Sequence, residues 1–369
     1  MISSEKKYWL GFSAFPGIGP LRFKLLKKYF GSVKKAWEAS EADLIKIKLG
    51  EKLTAKFCHF RRNFSLEKYV KDLDKKSIQV ITLEDKDYPS LLAEIPDAPF
   101  LLYVRGDMTV FNEVQPRIAV VGTRKITNYG REVTRRLVEE LVDAGLVIVS
   151  GMAYGVDTVA HETAIADKGR TIAVLGCGVD IIYPRSNTTL YWQIIKKYGA
   201  VISEFPLGMI TDKGLFPARN RIISGLSLGV VVTEGAEDSG ALITARFAAE
   251  QGREVFAVPG PITSEYSKGP TILLKQGAKL VSEVKDILEE LNIKNIQISK
   301  YTNKQMKSVG EFTKEEIKIL EILKNENLHF DEVVRRSKLP AAKVGSILSL
   351  MEMKEIILNQ AGVYGLKII

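Results

Sequence analysis

The 369 residues carry 53 Lys+Arg against 44 Asp+Glu, a net charge of +9, and no apolar run approaches a membrane span. That length accommodates two or three domains with a large core, while two distant cysteines, Cys58 and Cys177, and three scattered histidines argue against a disulfide framework or a zinc site. The N-terminal stretch has a short apolar segment without a cleavage site, so a cytoplasmic protein with no metal or organic cofactor is expected.

The basic excess sits at the start of the chain: residues 1–76 hold 18 Lys+Arg against 8 Asp+Glu. A polyanionic partner would account for it, and so would a solvated surface. Here the stretch Ala14 to Leu21, AFPGIGPL, links an apolar segment to a basic amphipathic helix at Arg22 to Phe30. It resembles the hairpin of a helix-hairpin-helix motif, in which Gly17 and Gly19 let the backbone approach a DNA phosphate. Helices at Val33–Ala39, Glu41–Ile45 and Leu53–Phe64 complete a small helical (SAM-like) domain over 1–76, for which a structural or protein-contact role is the other reading.

Between 77 and 116 two strands, IQVITL and FLLYVRG, flank a connection holding Pro89, Pro96 and Pro99, which argue against helix. This stretch is expected to cover one edge of a central sheet. From Arg117 strands and amphipathic helices alternate, with strands at 118–121, 146–150, 171–175, 200–203, 229–233 and 254–258. The fold class is therefore α/β, a doubly wound, Rossmann-like, mainly parallel sheet over 77–291 with its core at 117–291, closed by a short strand at Lys279–Val281 and a helix to Leu291. Polar residues 292–310 read as a linker. In 311–369, helices at 313–324, 330–336 and 340–353 followed by a hairpin predict a winged helix. Its candidate recognition helix sets one Lys343 against Glu352, which favours a protein contact over a phosphate contact.

Glycines gather where strands end, in VVGTR, IVSGMAYG, VLGCG, SEFPLG, TEGAEDSG and VPGP, so function is expected on that one rim. The loop after the first parallel strand holds Gly122, Thr123 and Arg124 ahead of a helix. It matches neither the dinucleotide nor the triphosphate glycine fingerprint, and both a phosphate site and a structural turn fit it. Phe216, Arg219, Asn220 and Arg221 lie together in FPARNRIISGLS, with Lys213 just upstream, and Ser239-Gly240 enter a further helix. His161 lies four residues after Asp157, a spacing that needs no acid–base role, and no nucleophile, base and orienter can be read as a set. No catalytic residue is assigned.

Taken together, VGTRKITNYG, SGMAYGVDTVAH, AVLGCGVDIIYPRSN, SEFPLG, FPARNRIISGLS, TEGAEDSGALITA and VFAVPG resemble the DprA family, also called Smf, over Val121 to Gly260. The resemblance implies a non-catalytic protein of natural transformation that binds single-stranded DNA, self-associates and loads RecA recombinase. By motif position it implies DNA contacts at Gly122, Thr123, Arg124, Gly151, Lys213, Phe216, Arg219, Asn220, Arg221, Ser239 and Gly240. Single-strand binding without sequence choice needs cations and an aromatic face. Phe216 beside Arg219 and Arg221 offers both; the competing reading makes Phe216 a core residue and Arg221 an ion-pair partner. A homodimer is expected through Gly269 to Val281, GPTILLKQGAKLV. The stretch from Arg219 to the loop at Glu234 also resembles the nucleotide phosphoribohydrolases called LOG proteins, but their double glycine and following glutamate are missing here.

Overall fold

The computed structural model describes residues 5–47, 49–111, 115–210, 215–293, 313–323, 327–353, 357–360 and 362–366; for 215–217, 314, 353, 360 and 366 it describes the backbone alone. The described chain divides into two compact units, with the boundary after residue 296.

The first unit opens with six helices: α1 Lys6–Ala14, α2 Pro20–Phe30, α3 Val33–Glu38, α4 Glu41–Lys46, α5 Glu51–Asn63 and α6 Leu66–Lys75. Ser32, Ser40 and Ser65 cap α3, α4 and α6 by accepting from N–H groups three residues on. Between α1 and α2 the predicted hairpin is present, with Gly17 at φ +114° and its carbonyl accepting from Arg22 at 2.7 Å. Strands β1 Gln79–Thr82 and β2 Leu101–Gly106 follow, joined through α7 Ser90–Ala93. That short helix corrects the expectation drawn from the prolines. Pro89 occupies its N-cap, where no intrahelical N–H is required of it.

The rest of the unit is β3 Arg117–Val121, α8 Asn128–Asp143, β4 Val147–Ser150, α9 Val156–Ala166, β5 Thr171–Val174, α10 Thr188–Gln193, β6 Gly199–Ser203, α11 Leu215–Gly225, β7 Gly229–Val232, α12 Gly240–Glu250, β8 Glu254–Ala257, α13 Lys268–Lys275, β9 Lys279–Leu280 and α14 Val284–Glu290. One nine-stranded sheet runs in the order β1-β2-β6-β5-β4-β3-β7-β8-β9. Its seven strands from β6 to β9 are parallel, and β2 pairs antiparallel with β6 and with β1, covering that edge as expected. Every residue of β3, β4, β5 and β7 is buried, the signature of strands covered on both faces. Ile222, Ile223 and Ala245 pack on one face; Val138, Ala160 and Ile287 pack on the other.

The six N-terminal helices share their core with the sheet extension rather than closing on themselves. Trp9, Phe12, Phe23, Trp37 and Phe57 pack with Phe100, Leu101 and Tyr103 in one cluster. The Phe23 and Phe100 rings stack with centroids 3.9 Å apart. A hydroxyl chain crosses the same seam, from Tyr69 to Tyr103 at 3.1 Å and from Tyr103 to Ser13 at 3.0 Å.

The second unit has α15 Lys314–Leu323, β10 Leu328–His329, α16 Phe330–Ser337, α17 Ala341–Met353 and the hairpin β11 Ile357–Gln360 with β12 Val363–Leu366. The strand order β10-β12-β11 and the three helices form the predicted winged helix. Lys343 of α17 is paired with Glu315, while Leu350, Leu358 and Val363 are exposed. The predicted linker lies, from 294 onward, outside the described residues.

Candidate nucleic-acid interface

The strand order reverses between β3 and β7, because β3 leads away through β4 on one side while β7 lies on its other side. In open α/β sheets ligands enter the crevice that opens at the carboxyl ends of such strands. A cavity of about 460 Å³ lies there, lined by Gly122 to Lys125 after β3, by Arg219 and Asn220 of α11, and by Asp238 to Gly240 after β7.

Glu234, buried at the end of β7, ties the two loops together. Its carboxylate accepts from Thr127 N–H at 3.0 Å and Thr127 Oγ1 at 2.6 Å, and its carbonyl accepts from Thr123 N–H at 2.7 Å. Thr127 in turn caps α8. A side chain at Gly130 would occupy the space of the Glu234 carboxylate, which accounts for that glycine. The loop so held leaves the Arg124 and Lys125 side chains exposed at the mouth.

On the other wall Ser239 caps the eleven-residue α12, whose N-terminus opens into the cavity. Free N–H groups and the helix dipole favour an anion at such an end. Asn220 donates to the Gly240 carbonyl at 3.2 Å and so fixes that terminus to α11. Asp238 and Glu265 also line the cavity and are exposed, so an anion is confined to the Arg124 and Ser239 side while the carboxylates remain as acceptors for amino groups.

Arg219 is a buried cation beneath this floor. It donates through Nη1 to the carbonyls of Gly151 and Val174, and through Nε to Asn220 Oδ1 at 2.9 Å. Nearby Asp157 accepts from Gly151 N–H at 3.1 Å and Ala153 N–H at 3.2 Å. Burial raises the Asp157 carboxyl above its usual value despite the attraction of Arg219 and those N–H groups, and burial likewise lowers Arg219. His161, also buried, receives nothing to do chemically: Thr171 donates its hydroxyl to the Ile148 carbonyl at 2.8 Å and so accepts from His161 Nδ1 at 2.6 Å. Its Nε2 has no partner among the described residues, and burial, then the Arg219 charge, drives the imidazole down to about 3.

Of the residues expected at the site, Gly122, Thr123, Arg124, Arg219, Asn220, Ser239 and Gly240 line one cavity. Gly151 sits behind Arg219 with its N–H and carbonyl both engaged. Arg221 is not brought to the cavity. It is buried, bidentate to Glu204 at 2.8 Å and paired with Asp97 at 2.8 Å, the arrangement of an ion-pair partner. Lys213 lies outside the described residues, and Phe216 belongs to α11, its side chain also outside them. Sequence reasoning passed over Lys125, Asp238 and Glu265, and weighed Asp157 only as a partner of His161; Lys125 lies beside Arg124 in the marked loop and was the one with a legible signal.

A second, shallower cleft adjoins the first and shares Arg124 and Ala153 with it. Tyr154, Gly176, Cys177 and Tyr183 complete its walls. Among the described residues no helix is long and apolar enough to cross a membrane.

Residues 79–292 match the family model for DNA recombination-mediator protein A, and 308–362 match that for the DprA winged helix domain. Protein Smf of Synechocystis is 40% identical over 295 residues, spanning 79% of this chain and 74% of that protein. DNA processing protein DprA of Bacillus subtilis is 46% identical over 223 residues, or 60% of this chain and 74% of the relative. Among solved structures, DNA processing protein A of Streptococcus pneumoniae superposes with a TM-score of 0.68 at 36% identity, covering 78% of this chain and 98% of that one. DNA processing protein A of Helicobacter pylori, described for its single-stranded DNA binding mode, gives a TM-score of 0.53 at 32% identity over 59% of this chain and 98% of that one.

Proposed function

This chain belongs to the DNA recombination-mediator protein A family, and on that premise we propose that it binds single-stranded DNA along the rim at the carboxyl ends of β3 and β7. In this reading it protects an incoming strand and loads RecA recombinase onto it during DNA uptake, acts in the cytoplasm as a homodimer, and catalyses no reaction. The observation that carries the binding step is the convergence of Arg124, Lys125 and the α12 N-terminus on one cavity at the switch point of the sheet. The Helicobacter pylori relative, whose description names single-stranded DNA binding, supports the choice of ligand.

Arg124 takes one phosphate and Lys125 a neighbouring one, Asn220 holds the α12 terminus in place, and Arg219 supports the floor from below. The family resemblance adds Lys213 and Phe216 as further contacts to the strand. Arg221 acts through the fold and not on the strand. The exposed apolar residues of the winged helix, Leu350, Leu358 and Val363, suit a protein partner better than a phosphate backbone. For self-association the edge strand β9 is the candidate, because Leu280 is exposed on it.

Filter binding of oligo-dT and of a duplex of equal length, over a salt series, tests the proposal. For single strands the logarithm of affinity falls with the logarithm of salt by about 0.7 per neutralised phosphate, so Arg124 and Lys125 together contribute a slope of roughly −1.4. Equal affinity for duplex would redirect attention to the N-terminal hairpin. Release of free base from nucleoside monophosphates would reinstate the hydrolase reading.

A further inference from the structure

Helix α2 presents three faces. Phe23 and Leu26 are buried and Phe30 packs beside them, facing the shared aromatic core. Leu21, Leu25 and Tyr29, at i, i+4 and i+8, form a second row that is 68%, 47% and 56% exposed. The third face, which carries Lys24 and Lys27, is one wall of a groove of about 590 Å³, with Leu21 and Lys28 at its lip. Leu83 and Glu84, in the turn after β1, stand on the opposite wall, and the floor is made by the buried rings of Trp9, Phe23 and Phe100.

The charges around this groove are unequal. Lys27 is matched internally: its ammonium pairs with Glu84 and lies over the Trp9 ring, 5.3 Å from the centroid. Lys24 and Lys28 are exposed and meet no carboxylate among the described residues. They belong to the stretch 1–76, with its 18 Lys+Arg against 8 Asp+Glu. A second copy of this chain on the same face would set those lysines against each other, because a two-fold contact opposes a patch to itself. A DNA duplex or a bilayer surface supplies negative charge but no side chain to enter a groove floored by aromatic rings. An exposed apolar row edged by cations calls for a partner that carries apolar and acidic side chains together, repeating at the spacing of a helical turn.

We propose that α2 and its groove dock an acidic amphipathic helix of a partner protein. The apolar side chains of that helix seat between α2 and the turn after β1 and along Leu21, Leu25 and Tyr29, and its carboxylates meet Lys24 and Lys28. From Pro20 to Gly31 the wall is roughly 16 Å long, about three helical turns. The place of the groove in the fold matters as well. β2 pairs antiparallel with both β1 and β6, so β1 runs with the parallel strands and the turn at Leu83 lies at the same end of the sheet as the cavity between β3 and β7. Five interstrand spacings, roughly 24 Å, separate β1 from β3, and a docked helix therefore flanks the rim without covering it. The proposal is independent of what the rim binds.

Fluorescence anisotropy on the full chain tests it, with a fluorescein-labelled peptide of about fourteen residues that carries Leu at i, i+3, i+4 and i+7 and Glu elsewhere. Saturable binding that weakens with salt is expected, and a peptide of the same composition with the spacing scrambled should bind less tightly. Leu25→Ser with Tyr29→Ser, and separately Lys24→Glu with Lys28→Glu, should each lower the affinity roughly tenfold or more. These side chains are exposed, so both double variants should melt like the parent and bind oligo-dT as it does. Arg124→Glu should leave peptide binding unchanged, which separates this face from the rim. No saturable binding, equal binding of the scrambled peptide, or parent affinity in both double variants would overturn the proposal. Displacement of the peptide by a DNA duplex would assign the face to nucleic acid, and displacement by phosphatidylglycerol vesicles would assign it to a membrane surface; either result overturns the proposal too.

Discussion

Replacing Arg221 by methionine separates a fold-supporting cation from a strand-binding one. In the folded chain the Arg221 side chain is 7% exposed and bidentate to Glu204, which is 15% exposed, with Asp97 as a second, 43% exposed partner. Methionine keeps much of the volume and removes the charge, so Glu204 is left buried without its counter-ion. Stripping one partner from such a pair costs about 3–5 kcal/mol, while the exposed contact to Asp97 adds at most about 1 kcal/mol. For a unit of this size each kcal/mol lowers Tm by roughly 2–4 °C, so a drop of about 6–24 °C is expected. The effect has a pH signature. Burial already holds Glu204 above its ordinary 4.5, so the folded state binds a proton more readily than the unfolded one, and stability falls as pH rises from 4.5 through the folded value. Without Arg221 that folded value moves higher, and the stability gap to the parent should be wide at pH 7.5 and narrower at pH 5. Urea melts at both pH values measure it. Oligo-dT affinity of the folded variant should match the parent. A variant that melts within about 1 kcal/mol of the parent at pH 7.5, or one that is stable but loses oligo-dT binding, would refute the reasoning.

Arg124→Glu should leave Tm unchanged, because the side chain is exposed, while oligo-dT binding weakens by about 1.5–3 kcal/mol or more and the salt slope becomes shallower by roughly 0.7. Gly155→Ala should cost at least about 1–3 kcal/mol by thermal melting, since φ is +77° and the new methyl would meet the Thr123 carbonyl. His161, driven down to about 3, should show no titration of its ring by NMR between pH 8 and 5. The unfolded chain takes up that proton below about 6.5 and the folded one does not, so this residue contributes a loss of stability as pH falls. Sedimentation of Leu280→Glu should show monomer if β9 is the dimer surface; an unchanged dimer would exclude that edge.

The sheet was legible because buried parallel strands are written as short runs such as Ile118 to Val121, each followed by a glycine-bearing turn. The winged helix was legible in its helix spacing and its Ala-Gly turn. Local signals also went far toward the cavity, since Gly122 to Arg124 and Ser239-Gly240 stand at strand ends that the topology then brings side by side. What misled was treating Arg219, Asn220 and Arg221 as one cationic cluster. Arg219, Ile222 and Ile223 fall at i, i+3 and i+4 and share one face of α11, with Leu226 just past its end. Arg221 shares another face with Ser224 and Gly225, and Gly225 packs closely on Leu92 and Ile95. Periodicity alone could have parted the two arginines. It could not have supplied the partner Asp97, which is 124 residues away in the chain. The antiparallel edge made by β2 was likewise expected only as a covering, because strand direction is settled by pairing across the sheet and not by the strand's own residues.

The similarity recorded by the family model begins at residue 79, at the first strand. The physical seam lies elsewhere. Phe100 and Tyr103 spend their buried faces on Phe23, Trp9 and Tyr69, so a chain cut to start at Gln79 would turn an aromatic wall toward water. Such a fragment would keep the strand-end rim intact and still tend to clump. The start of the family match and the limit of independent folding are different lines on this molecule, and any attempt to transplant the rim into another protein must carry the six helices with it or repaint that wall with polar residues.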